Sequence, residues 1–266
     1  MSIKNAEVQQ FTVGTMKVEI YPTREFMGEA AARAAAEALK ELGRNNEIIA
    51  AIFATGASQL DTLEALTKLD GLPWNQVRGF HLDEYVGLPV DHPASFRGYL
   101  RRNLTSKVSM REFFDVDGTD PDPEQVCRTY AEKLRSSEPQ LCLLGIGENG
   151  HLAFNDPGVA DFDDPADVKI VHLDAACRAQ QVAEGWFNSA EDVPEYAISL
   201  TIPTLLRVPK LIVSVPGNRK AEIMRRTLEE VISTECPATI LRTHPDVTVY
   251  LDRDSASQLA DLIPGM

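Results

Sequence analysis

Short apolar runs alternate with helix-period segments along nearly the whole chain, and this alternation narrows the fold more than any single motif. Glu47 to Ala54 (EIIAAIFA), Leu141 to Leu144 (LCLL) and Lys210 to Val215 (KLIVSV) are near-continuously apolar, as strands covered on both faces are. Val77 to Leu82, Val168 to Leu173, Tyr196 to Leu200 and Val247 to Leu251 also read as strands. Between them the pattern predicts helices. The first runs from Thr23 to Gly43, with Thr as N-cap and Gly as C-cap. Others are predicted at Gln59 to Leu69, Ala94 to Leu104, Pro123 to Arg135, Asp174 to Phe187, Pro203 to Leu206, Arg219 to Ile232 and Ser255 to Ile263. Such regular alternation requires crossover connections, so the expected class is α/β: one doubly wound, mostly parallel sheet with helices on both faces, Rossmann-like. No linker, repeat or low-complexity tract interrupts the 266 residues, and residues 1–266 are expected to form a single domain.

Composition excludes several functions. A formal charge of −14 argues against a nucleic-acid partner, because affinity for phosphate backbones comes from clustered Lys and Arg. No apolar run approaches the ~20 residues needed to span a bilayer, and the start MSIKNAEVQQF lacks the apolar core of a secretory leader. A cytoplasmic protein without a membrane partner is expected. Cys127, Cys142, Cys177 and Cys236 are scattered with no C-x-x-C spacing, so neither a metal cage nor a disulfide framework is indicated.

Candidate chemistry collects in loops that follow predicted strands, where open α/β sheets bind their ligands. After Leu144, the run Gly145 to Gly158 (GIGENGHLAFNDPG) places His151 among Glu148, Asn149, Asn155 and Asp156. Its glycines, Gly150 included, allow tight turns and close backbone approach to a ligand. A lone histidine is usually a satisfied loop residue; the polar neighbours favour acid/base work here, since they can fix an imidazole tautomer. Thr55-Gly56-Ala57-Ser58 joins a strand to a helix and suits a phosphate, although such turns often carry Gly and Ser merely as caps. Asp83-Glu84 leaves another strand end, where a catalytic base competes with a solvated loop acid. Gly217-Asn218-Arg219-Lys220 combines helix-start N–H groups with a cation.

These segments resemble the glucosamine-6-phosphate deaminase (isomerase) family, which is related to the 6-phosphogluconolactonases. The likeness runs in order through IFATGASQL, FHLDEYVGLPVDHPASFRGYLRRNL, LLGIGENGHLAFNDPG, AISLTIPTLL, VPGNRKAEIM and THPDVTVYLD. It implies an enzyme that converts an amino-sugar phosphate and water to fructose 6-phosphate and ammonia, combining isomerase and hydrolase chemistry without a metal or organic cofactor. On this reading Asp83 moves the proton between C2 and C1, and His151 opens the pyranose with support from Asn149 and Asp156. Thr55, Gly56, Ala57, Ser58, Glu84, Gly150, Arg178 and Lys220 would then bind the substrate or its phosphate. A homo-oligomer is compatible with the family, which includes monomers and hexamers.

The chain departs from the family pattern at four places. Asn149 stands where many members have an acid, and Asp156 where they have Glu, so His151 is flanked by an amide and a shorter carboxylate. GASQ replaces a commoner glycine-glycine-threonine-proline loop. Gly185-Trp186-Phe187 replaces an arginine-phenylalanine-phenylalanine ending, leaving Arg178 as the substitute cation. The alternatives are a 6-phosphogluconolactonase-like hydrolase and a non-catalytic sugar-phosphate sensor. Asp83-Glu84 in place of an acid followed by arginine, and the AFN after His151, disfavour the former. The sensor reading lacks any helix-turn-helix or basic patch to accompany it.

Overall fold

The computed structural model describes residues 8–183 and 185–262. The first seven residues, and Ile263 of the last predicted helix, lie outside these.

A hairpin that sequence patterning does not announce opens the fold: β1 (Gln9–Val13) and β2 (Met16–Tyr21) pair antiparallel, with Val13 opposite Met16. Helix α1 (Arg24–Asn45) follows, its N-cap Thr23 accepting from the Phe26 N–H. It runs through Gly43 to Asn45; the glycine serves close packing and not a cap, since a side chain there would meet Gln76 and Pro73 at under 3.0 Å. The chain continues with β3 (Ile49–Phe53), α2 (Leu60–Thr67), β4 (Val77–His81) and β5 (Asp83–Tyr85). Helix α3 (Phe96–Leu100) ends in a π-helical turn over Arg101–Thr105, followed by β6 (Glu112–Phe114), α4 (Pro123–Ser137) and β7 (Leu141–Leu144). Then come β8 (Val168–His172), α5 (Ala175–Ala183), β9 (Tyr196–Leu200) and α6 (Ile202–Leu206). Last are β10 (Lys210–Val215), a 3₁₀ turn, α7 (Ala221–Glu229) and β11 (Val247–Asp252). Residues 253–258 form turns, and a single 3₁₀ turn at Ala260–Leu262 stands where the sequence predicts a helix.

The main sheet has eight strands in the order β1-β2-β11-β10-β7-β3-β4-β6, parallel throughout except for β1. Helices cover both faces. Met27, Ala31, Ala35 and Leu39 of α1 pack with α2 and α3 on one side, and Tyr130 and Leu134 of α4 with Ile223 and Met224 of α7 lie on the other. The class is therefore α/β with a mostly parallel central sheet, as expected. One correction is needed: β8 and β9 do not join that sheet. They form a separate three-stranded antiparallel sheet with β5, in the order β5-β9-β8, over a small core containing Tyr85, Phe154 and Phe187.

Strand order fixes where a ligand can enter. From β3 the chain passes to α2 on one face and to β4 on one flank, whereas β7 leads toward β10 on the other flank. The connections leaving β3 and β7 therefore part at their carboxyl ends, which is the switch point at which doubly wound sheets open a crevice.

Candidate active site

A cavity of about 390 Å³ occupies that crevice, within the range of small-molecule sites. Its wall takes Thr55, Gly56, Ala57 and Ser58 from beyond β3, Asp83 from beyond β4, His151 from beyond β7 and Lys220 from beyond β10. A second cavity, about 510 Å³, lies where β7 and β10 begin, beside Gln140 and Pro209. Although larger, it carries little chemistry, because Arg135 and Arg207 on its wall are both paired to Asp167.

His151 is built into a short relay. Its Nδ1 lies 2.9 Å from Asn149 Oδ1 and 3.2 Å from Asp156 Oδ1, and the Asn149 amide donates to the same Asp156 oxygen at 2.8 Å. Asn149 Oδ1 also accepts the His151 backbone N–H at 3.1 Å, which settles which end of the amide is oxygen. A proton on Nδ1 satisfies both acceptors, leaving Nε2 as the basic nitrogen toward the cavity. Burial acts to raise the Asp156 carboxyl, but the His151 ring and hydrogen bonds from His151, Asn149 and the Cys177 thiol outweigh it and hold it below its usual value.

Asp83 is 8% exposed, and its carboxylate has no protein hydrogen bond among the described residues. Burial, then the neighbouring Glu84 and Asp156 charges, push it well above the ordinary carboxylate value. A carboxyl of raised basicity, facing a cavity and free of protein donors, is suited to carrying a proton to and from substrate.

Three expected substrate ligands, Glu84, Gly150 and Arg178, are placed off the cavity wall. Glu84 is wholly buried, accepting from the N–H groups of Tyr85, Phe96 and Arg97 and from the Ser95 hydroxyl. Successive residues of a strand face opposite ways, so if Asp83 turns to the cavity Glu84 turns from it. Gly150 takes φ +89 in the turn beneath His151, and a side chain there would strike Cys236, so its role is to make the turn. Asn149 and Asp156 lie behind His151 rather than on the wall. Arg178 is on α5 but does not line the cavity, and its Nε is buried without a partner among the described residues.

The Thr55–Ser58 loop is pinned from both sides. Gly56 takes φ +85; its carbonyl accepts from the Tyr99 hydroxyl at 2.9 Å and the Gln59 N–H at 3.1 Å. Gly145 has no side chain because the Ser58 hydroxyl occupies that space, 2.6 Å from where a Cβ would sit. In the Gly217–Lys220 turn the Gly217 N–H is already given to the Asp252 carboxylate, at 3.0–3.1 Å, and so is not offered to a ligand as the sequence suggests.

Polar wall residues that patterning did not single out include Arg24 and Gln181. Gln181 accepts from the Tyr85 hydroxyl at 2.7 Å, and Arg219 pairs with Glu148 at 2.7 Å. No local motif marks Arg24, which simply follows an N-cap.

A doubly wound sheet whose switch point gathers Asp83, His151 and the Thr55–Ser58 loop on one cavity wall defines an α/β protein with a ligand crevice at that edge. The chain belongs to the family of glucosamine-6-phosphate isomerases and 6-phosphogluconolactonases, whose model matches residues 22–250. Among its relatives, a glucosamine-6-phosphate deaminase of Exiguobacterium sibiricum is 36% identical over 222 residues, 84% of this chain and 86% of that protein. Another, from Listeria monocytogenes, is 34% identical over 230 residues, 86% and 96% of the two chains. A solved structure of a monomeric glucosamine-6-phosphate deaminase superposes with a TM-score of 0.82 at 32% identity, covering 91% of this chain and 99% of that one. The 6-phosphogluconolactonase of Trypanosoma brucei shares the fold, with a TM-score of 0.75 at 19% identity over 91% and 98% of the chains.

Proposed function

We propose that this chain converts glucosamine 6-phosphate and water to fructose 6-phosphate and ammonia. One observation carries the reading: the Asp83 carboxylate and the His151 ring open on the same cavity whose wall also holds the Thr55–Ser58 loop and Lys220. The deaminase relatives and the structural likeness support it.

His151 Nε2 takes the proton of the anomeric hydroxyl and returns it to the ring oxygen, opening the pyranose. Asn149 and Asp156 hold the imidazole for this exchange. Asp83 removes the C2 proton, and the electrons pass through an enolamine as the proton is delivered to C1. A substrate ammonium near Asp83 favours its ionised form against the burial that raises its carboxyl. Water then adds to the resulting ketimine at C2 and ammonia departs. Hydrolysis describes only this last step; the core reaction is an isomerisation.

The proposed location is the cytoplasm. The four cysteines are buried thiols in no disulfide, as in proteins of reducing compartments, and no helix among the described residues is long and apolar enough to cross a membrane.

The deciding experiment follows ammonia and fructose 6-phosphate together from glucosamine 6-phosphate, with 6-phosphogluconolactone and free glucosamine as parallel substrates. Stoichiometric release of both products establishes the proposal. Turnover of the lactone alone, or binding without turnover, overturns it.

A further inference from the structure

We infer, on the sugar-phosphate reading of this cavity, that Arg24 is the cation that completes its anion cradle, the role that sequence reading gives to Arg178 of α5. Arg24 is the first residue of α1 and lines the cavity, which Arg178 does not.

The placement follows from a close helix contact. Gly28, one turn beyond Arg24, packs on the start of α2 so tightly that a Cβ would lie 2.5 Å from the Asp61 Cβ and 2.9 Å from its carbonyl carbon. Residues four apart share a helix face, and long side chains lean toward the helix N-terminus. Arg24 therefore reaches across the start of α2. Its Nε engages the Asp61 carboxylate and one Nη engages the Ala57 carbonyl, inside the loop itself.

Two consequences favour an anion. The carbonyls of Gly56 and Ala57 are held by Tyr99 and Arg24, and in a trans peptide the next N–H points the opposite way. The N–H groups of Ala57 and Ser58 are thereby turned from those partners, and they have no protein acceptor among the described residues. The guanidinium meanwhile keeps one Nη without a partner among those residues, on a side chain 37% exposed. Asp61 fixes the rotamer in advance, so little side-chain freedom remains to be lost when a dianion arrives. Arg219, the other arginine of the wall, is already paired with Glu148.

The test compares wild type with Arg24→Met, Arg24→Lys and Arg178→Met. Each is assayed for inhibition by inorganic phosphate, for KM and kcat on glucosamine 6-phosphate, and for inhibition by free glucosamine, with urea midpoints to confirm folding. Arg24→Met is expected to weaken inorganic phosphate and raise KM together, by about ten- to a hundredfold, the loss of a charge-assisted hydrogen bond. Its affinity for glucosamine should stay within about twofold of wild type. Arg24→Lys recovers part of the loss by restoring charge without the fork, and Arg178→Met leaves phosphate inhibition unchanged. The assignment is overturned if folded Arg24→Met binds phosphate like wild type, if it loses glucosamine equally, or if Arg178→Met carries the loss instead. A wild type that binds inorganic phosphate through Arg24 yet releases no ammonia would sink the deaminase proposal and support the anion site.

Discussion

The imidazole of His151 lies directly against Gly147: a Cβ on that glycine would fall 2.2–2.4 Å from three ring atoms. The Gly147 N–H also donates to the His151 carbonyl at 3.0 Å, so this residue holds both the backbone and the ring face of the histidine.

Gly147→Ala should therefore behave as a histidine variant. Its backbone does not need the left-handed region, so alanine is tolerated conformationally and the ring must move instead. We expect a ~10²-fold or greater loss in kcat/KM with little change in Tm. Activity within a fewfold of wild type would show that the ring's position is not critical.

His151→Gln is expected to lose ~10²–10⁴-fold on the cyclic substrate, the usual worth of a positioned proton-transfer group. An analogue already open-chain should lose far less. Equal losses on both would remove His151 from ring opening.

Asp83→Asn should abolish exchange of the C2 proton with solvent deuterium and at the same time stabilise the protein. Burial raises the Asp83 carboxyl in the folded state, so above the unfolded value near 3.8 the native protein holds a proton that the unfolded chain releases. Stability from this group falls as pH climbs from there toward the raised folded value. The asparagine variant lacks that slope. Its Tm at pH 7 should exceed wild type by roughly 2–4 °C for each kcal/mol recovered. A lower Tm, or deuterium exchange at the wild-type rate, would contradict the assignment.

Glu84→Ala should instead unfold the protein more easily. It strands three backbone donors and the Ser95 hydroxyl, and it takes from the buried Arg97 one of its two carboxylate partners, at 3.5 Å, leaving Asp117 at 2.6 Å. Removing one partner of such a network costs about 3–5 kcal/mol. Glu84→Gln, which keeps an acceptor oxygen, should lose less. Urea midpoints rank the two; an unchanged midpoint for alanine would deny the network its role.

Sequence reading succeeded where one local rule governs. Ile49–Phe53 and Leu141–Leu144 are central strands covered on both faces, and their apolar runs show it directly. Asp83 and His151 follow strand ends, the position that brings both to the cavity wall. It failed where tertiary partners decide. Gln9–Val13 is an edge strand, half-exposed along its length, with too little apolar signal to stand out. Val168–His172 and Tyr196–Leu200 have ordinary strand patterns, and only their pairing with Asp83–Tyr85 removes them from the main sheet. Glu84 was read with Asp83 because they adjoin, although neighbours in a strand face opposite sides. Arg24 reaches the cavity through a helix crossing at Gly28, which no local window contains.

The carboxylate of Asp252, the last residue of β11, grips the Gly217 N–H in the turn that carries Lys220. β11 in turn fits between β10 and β2, so the opening hairpin meets the main sheet only through the final strand. During synthesis, the segments bearing Thr55, Asp83 and His151 all leave the ribosome while the sheet still has a gap. The Lys220 turn acquires its latch only when β11 closes that gap. Regained activity should thus be the last signal to appear on refolding, after helix formation, and a chain ending before β11 should retain much secondary structure without a working site.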